Sequence, residues 1–150
     1  MKILDYKGNV TAFVYGTLMR GFPNERVIMD LPHDVYEAEI RGAELYDVGS
    51  FPAMVFGKES YKGEFIVFDS SLDPDFVHMR MDRLEGYRKD SPESSLYLRE
   101  KVTVYVDGKP VETEAYIWNH SCADLVYIDP KKYSGYKEYI QDKRSRVYEM

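Results

Sequence analysis

The chain has 150 residues, the size of one ordinary domain, and 44% of them are hydrophobic, which supplies a core and argues against disorder along the whole length. Its formal net charge of −6 argues against a surface built to grip nucleic acid through basic side chains. The single cysteine, Cys122, rules out a disulfide within the chain and points to a reducing compartment. No stretch has the apolar length of a membrane span, and the N-terminus carries no long apolar signal core. The expectation is a single cytoplasmic domain over residues 1–150, with no membrane or nucleic-acid partner.

Residues 1 to 9 read as a short strand or a loose start, with a turn at Gly8-Asn9. Val10 to Tyr15 reads as a strand, and its unbroken apolar run from Ala12 suits burial on both faces. Gly16 removes a side chain where that strand has to bend, and Thr17 adds a hydroxyl. If the ladder stops there, the N–H groups of residues 16 to 18 are free, and such a loop is an anion site, for instance for a carboxylate. A plain strand and turn accounts for the same residues. Residues 22 to 32 are ambiguous: Asn24 is placed to cap a helix carrying Val27, Ile28 and Leu31, and Pro32 to end it.

Val35 to Val48 alternates loosely and reads as one long bent strand or two shorter ones, with Gly42 at the bend. Gly49 to Pro52 is a turn, Ala53 to Phe56 a short strand, Gly57 to Ser60 a second turn, and Gly63 to Phe68 a buried strand. The clearest helix is 74–85. Asp73 is its N-cap, Pro74 its first residue, Val77, Met81 and Leu84 its apolar stripe, and Gly86 its stop. Residues 96 to 106 form a strand with Leu96, Leu98, Val102, Val104 and Val106 on one face and Glu100 as the exception. Tyr97 and Arg99 share the opposite face. Asp107-Gly108 signals a hairpin into a partner strand, Thr113 to Trp118. Residues 130 to 142 read as a loop and a short helix, followed by a charged tail. About six or seven strands, mostly in hairpins, with two or three helices, predict an α+β domain, most simply a closed or nearly closed barrel with a helix laid on it.

Among titratable residues Glu85 stands out. It sits beside Leu84 at the helix end that disfavours its negative charge, and Gly86 lets backbone or ligand come close. A half-buried carboxylate among apolar neighbours has a raised pKa and serves as a general base near neutral pH; a solvated Glu on a helix flank is the plain alternative. His33, His78 and His120 lack the spacing of metal ligands, so no metal is expected. His120-Ser121-Cys122 sets a base near a thiol, although such pairs normally meet through the fold. No phosphate- or dinucleotide-binding motif occurs, so no cofactor is expected. The many tyrosines suit stacking on single-stranded nucleic acid, which the net charge opposes.

Taken together, the motifs resemble the γ-glutamylcyclotransferase-like family, which includes γ-glutamylamine cyclotransferases and plant AIG2-like proteins. Tyr15-Gly16-Thr17-Leu18 followed by Arg20-Gly21 is similar to its signature loop. Leu45-Tyr46-Asp47 through Phe51-Pro52-Ala53 and Lys62-Gly63-Glu64 resemble its next two blocks. Met81-Asp82-Arg83-Leu84-Glu85-Gly86-Tyr87 resembles the Leu-Asp-x-x-Glu-Gly segment whose Glu is catalytic. Tyr97-x-Arg99, Ala115-Tyr116-Ile117-Trp118 and Ser134-Gly135-Tyr136 follow in order, so the likeness runs from about residue 11 to about 140. Met19, Met81 and Tyr136 depart from the family pattern.

The resemblance implies a small mixed β-barrel with flanking helices. It also implies an enzyme that forms 5-oxoproline from a γ-glutamyl amine or amino acid by attack of the substrate's own α-amine. Glu85 would be the catalytic acid and base; Tyr15, Gly16, Thr17, Leu18 and Tyr97 would bind the small-molecule γ-glutamyl substrate. The alternative is a non-catalytic module on the same fold that binds an amino-acid-like ligand. The leaving amine and the oligomeric state stay open at this point.

Overall fold

The computed structural model describes residue 6 and residues 8–149, with side chains to residue 145. Most of the expected start over residues 1 to 9 lies outside the described residues. The turn is present: Gly8 has φ +89°, and the Asn9 N–H donates to the Tyr6 carbonyl at 2.9 Å.

Five strands follow one path of backbone ladders, all antiparallel. They are β1 (Thr11–Val14), β2 (His33–Asp47), β3 (Pro52–Phe68), β4 (Tyr97–Val106) and β5 (Lys109–Trp118), in the order β1-β3-β2-β4-β5. A two-residue strand, β6 (Val126–Tyr127), too short to leave a sequence pattern, pairs with the end of β2. Helix α1 spans Pro74–Glu85 and helix α2 Tyr136–Glu149.

The sheet is wholly antiparallel where a mixed one was expected, and its ladders do not close it into a barrel. Among the described residues no ladder joins β1 to β5. Side chains bridge the gap instead: Thr11 Oγ1 lies 2.7 Å from Thr113 Oγ1, and the Tyr15 hydroxyl donates to the Tyr116 carbonyl. Those bridges explain how β1, an edge strand by its hydrogen bonds, still buries Ala12, Phe13 and Val14.

The β2–β3 pairing is the longest in the molecule. The expected break at Gly57 to Ser60 is a bulge within one continuous strand, where Ala43 faces both Phe56 and Glu59. Gly42, at φ +86°, lets β2 follow the same bend. Residues 22 to 32 form a 3-10 turn over Pro23–Val27 rather than a capped helix, and Asn24 is no cap. Strand β4 buries Tyr97, Val102, Val104 and Val106, while Leu96 just before it is 37% exposed, so the expected apolar alternation changes phase along its length. The reason is positional. Only Val104 and Tyr105 pair with β2, whereas the Tyr97 end packs against Phe51 and Trp118. The β4–β5 turn has positive φ at both Asp107 and Gly108, as a two-residue hairpin of primed type requires.

Helix α1 begins and ends as its sequence predicts. The Asp73 carboxylate accepts the Asp75 N–H at 3.3 Å, and Val77 and Met81 are buried. At the far end Gly86 is left-handed, the Tyr87 N–H reaches the Asp82 carbonyl at 2.9 Å and the Gly86 N–H the Arg83 carbonyl at 3.4 Å. This paired closure is a Schellman motif. Helix α2 outlasts the expected short helix and is anchored by Asp47, which accepts from the Tyr139 hydroxyl at 2.7 Å and Lys143 Nζ at 2.9 Å. No helix among the described residues is long and apolar enough to cross a membrane.

Gly63 marks a tight approach of β3 to β1. A Cβ there would meet the Val14 carbonyl oxygen at 2.5 Å and the Phe13 ring at 2.6 Å. Gly63→Ala is expected to destabilise the fold by roughly 1–3 kcal/mol, the usual cost of overpacking a core. Equilibrium urea unfolding of the two proteins checks this, with the midpoint falling in the variant.

Candidate active site

The site is built where three chain reversals meet. Strand β1 ends at Val14, and the following loop runs through Tyr15, Gly16, Thr17 and Leu18. Gly16 is needed here for contact rather than for dihedral freedom: a Cβ would lie 2.5 Å from Pro52 Cγ and 2.8 Å from Pro52 Cδ. The loop therefore rests directly on the Phe51-Pro52 turn. Its far end is clamped by the buried Glu64, whose carboxylate accepts both the Arg20 N–H and Arg20 Nε at 2.8 Å. Among the described residues the N–H groups of Gly16, Thr17 and Leu18 donate to nothing in the protein.

The third reversal is the end of α1. The Schellman closure and a 3.0 Å bond from the Leu96 N–H to the Gly86 carbonyl hold Glu85 beside this loop. One cavity of about 90 Å³ is lined by Tyr15, Gly16, Thr17, Leu18, Glu85 and Tyr97 together. A single water needs about 10–15 Å³ on this scale, so the space suits a small organic group. All six residues singled out from the sequence thus share one chamber. Asn24, Phe51, Pro52 and Tyr116 also line it and had been given no site role. Asn24 looked like a helix cap; its amide instead donates to Thr17 Oγ1 at 2.7 Å.

Glu85 is the one charged side chain on the cavity wall among the described residues. The residue keeps partial solvent access, yet protein crowds closely around its carboxyl group. Burial pushes its pKa up to about 7, and among the described residues no hydrogen bond or cation offsets that push. Three phenols stand near it. Burial raises the pKa of Tyr15, Tyr97 and Tyr116, and the Glu85 charge adds to each rise. The Tyr97 hydroxyl, expected to face a ligand, donates to the Pro52 carbonyl at 2.6 Å, so it offers the cavity lone pairs only.

Arg99 shares the Tyr97 face of β4, as expected, but turns to α1: its Nε lies 3.2 Å from Asp82 Oδ1. His120 and Cys122 lie outside the cavity, and burial, then Glu44, raises the Cys122 pKa, the wrong direction for a nucleophile. No cluster of three or more His, Cys, Asp or Glu residues suited to a metal occurs among the described residues.

The chamber therefore sets a carboxylate of raised proton affinity against a loop of free donors. Residues 12–137 match the sequence profile described as gamma-glutamyl cyclotransferase, AIG2-like. No curated protein matches the chain by sequence. Among solved structures, an AIG2-like protein from Mus musculus superposes with a TM-score of 0.63 at 21% identity, over 85% of this chain and 95% of that one. An uncharacterised protein from Pyrococcus horikoshii gives 0.60 at 19% identity, over 91% and 97%. YkqA from Bacillus subtilis gives 0.63 at 20% identity over 91% of this chain, which spans only 43% of YkqA. At these identities the likeness shows a shared fold.

A carboxyl with a pKa raised by folding destabilises the native state as it ionises. The penalty is absent below the unfolded value near 4.5, grows as pH rises, and is complete above about 7. Wild-type stability is expected to fall over that window by on the order of 3 kcal/mol at most, and Glu85→Gln to remove the fall. Urea unfolding at pH 5 and pH 8 measures both; equal slopes in the two proteins would show that Glu85 ionises freely.

Proposed function

The chain belongs to the gamma-glutamyl cyclotransferase, AIG2-like family, and from that premise we propose that it is a cytoplasmic enzyme that forms 5-oxoproline from a γ-glutamyl amine or γ-glutamyl amino acid. The observation that carries the reading is the meeting, in one small cavity, of the uncompensated Glu85 carboxylate and the free N–H groups of residues 16 to 18.

The nucleophile is the substrate's own α-amine, so the protein needs no nucleophilic side chain and no cofactor. The cavity folds the glutamyl chain until the amine nitrogen meets the γ-carbonyl carbon, an effect of orientation. Glu85 takes a proton from the α-ammonium, and the freed amine attacks. The old C–N bond then breaks as Glu85 returns that proton to the departing nitrogen. The lactam keeps one of the three ammonium protons. The other two pass to the leaving amine, with Glu85 carrying each in turn. A proton affinity near neutrality suits a group that must both accept and donate. The loop N–H groups supply donors for the substrate carboxylate and for the oxygen that gains charge in the tetrahedral intermediate. Tyr15 and Tyr97 bound the chamber, and their oxygens accept from the ammonium.

The test is 5-oxoproline release from a panel of γ-glutamyl amines and amino acids. Wild type is expected to release it from at least one member, with a rate that rises with pH through about 7 as Glu85 ionises. Glu85→Gln should lower the rate by about 10²–10⁴ while keeping the fold. Full activity in that variant would move the acid and base elsewhere. Binding of 5-oxoproline without turnover of any substrate would favour a binding module.

A further inference from the structure

Three tyrosines wall the Glu85 cavity, and each has one hydroxyl proton to give. All three protons go elsewhere. Tyr15 donates to the Tyr116 carbonyl, Tyr97 to the Pro52 carbonyl at 2.6 Å, and Tyr116 to Asp82 Oδ1 at 2.6 Å. The first two acceptors are main-chain groups. The third is a side chain on α1, one helical turn before Glu85. Arg99 Nε stands 3.2 Å from it as an ion pair without hydrogen-bond geometry, Arg99 Nη1 reaches Glu114 at 3.3 Å, and His78 Nε2 lies 3.6 Å from Glu114. We propose that Asp82 is a positioning residue: by accepting the Tyr116 proton it turns that phenol away from Glu85, so that the carboxylate receives no hydrogen bond from the wall around it.

The groups that face Glu85 are Tyr15 from the end of β1, Tyr97 from β4 and Tyr116 from β5; Asp82, Arg99, Glu114 and His78 stand behind Tyr116. The wall holds no cation among the described residues, so a released Tyr116 hydroxyl would be a new donor in the same cavity as the carboxylate. A hydrogen bond to a carboxylate stabilises its charged form, so freeing Tyr116 should lower the Glu85 pKa by on the order of one to two units. Asp82 thus maintains the proton affinity that Glu85 needs, without touching the ligand.

The experiment is a carbon-13 NMR titration of the glutamate carboxyls in the intact chain without substrate, with Glu85 assigned through Glu85→Gln. Asp82→Asn loses the charge but keeps an amide oxygen that accepts the Tyr116 proton, and it should titrate like wild type. Asp82→Ala should shift Glu85 downward by one to two units, and adding Tyr116→Phe should reverse the shift; Tyr116→Phe alone should leave it in place. An unmoved Glu85 in folded Asp82→Ala overturns the proposal. So does an equal shift in Asp82→Asn, which would assign the effect to charge. If the unpaired Arg99 unfolds Asp82→Ala, the double variant D82A/R99M makes the same comparison, and D82A/R99M/Y116F is its reversal. The proposal rests on the reading of Glu85 as acid and base only for its consequence. The titration uses no substrate, so a chain that passes it and forms no 5-oxoproline would refute that reading alone.

Discussion

The pairing of β2 with β3 carries the rest of the molecule. Their shared bulge at Gly42 and Ala43 bends both strands, so the two ends of the hairpin serve different neighbours. Near one end β3 takes β1, with Phe13 opposite Phe65; towards the middle β2 takes β4 through Ile40 and Val104. The hairpin's own connection delivers Phe51 and Pro52 to the cavity. Pro52 then supports two functional segments at once: the Gly16 backbone rests on its ring, and the Tyr97 hydroxyl bonds its carbonyl.

Around that frame polar groups are distributed unevenly. Most buried polar atoms have partners, as the cost of desolvation demands. Glu64 holds Arg20 at two points, and Asp47 collects the Gly49 N–H, the Tyr139 hydroxyl and Lys143. Burial alone would raise the Asp47 pKa, but these bonds bring it below the ordinary value. Glu85 is also crowded by protein, has none of these bonds, and moves the other way. Two carboxylates in one small protein are thus separated by their hydrogen bonds: one stays ionised as a fastener for α2, and the other is poised between its two protonation states.

Much of the site was legible because its signals are local. A capped helix with Pro74 at its start and Gly86 at its stop fixes where Glu85 stands, and the apolar run ending at Gly16 fixes where the donor loop begins. Contacts across long sequence distances were not legible. Asn24 and Thr17 meet through a turn that reads as a helix cap, and Asp82 reaches Tyr116 across 34 positions. Tyr97 was recognised, but the direction of its hydroxyl depends on the Pro52 carbonyl, which periodicity says nothing about. Gly57 looked like a turn because a glycine that permits a bulge and one that ends a strand are the same letter. That side chains of Thr11 and Tyr15, and not a backbone ladder, span the gap from β1 to β5 is something no strand pattern encodes.

The seam between β1 and β5 ties occupancy of the site to order in the sheet. Among the described residues strand β1 has a backbone ladder on one side only, four residue pairs long, and its next residues are the donor loop. A ligand held by the N–H groups of residues 16 to 18 would add bonds to the chain just beyond this singly laddered strand. Binding and local ordering are then thermodynamically linked: whatever tightens β1 against its neighbours favours the ligand, and the ligand favours the tightened strand in equal measure.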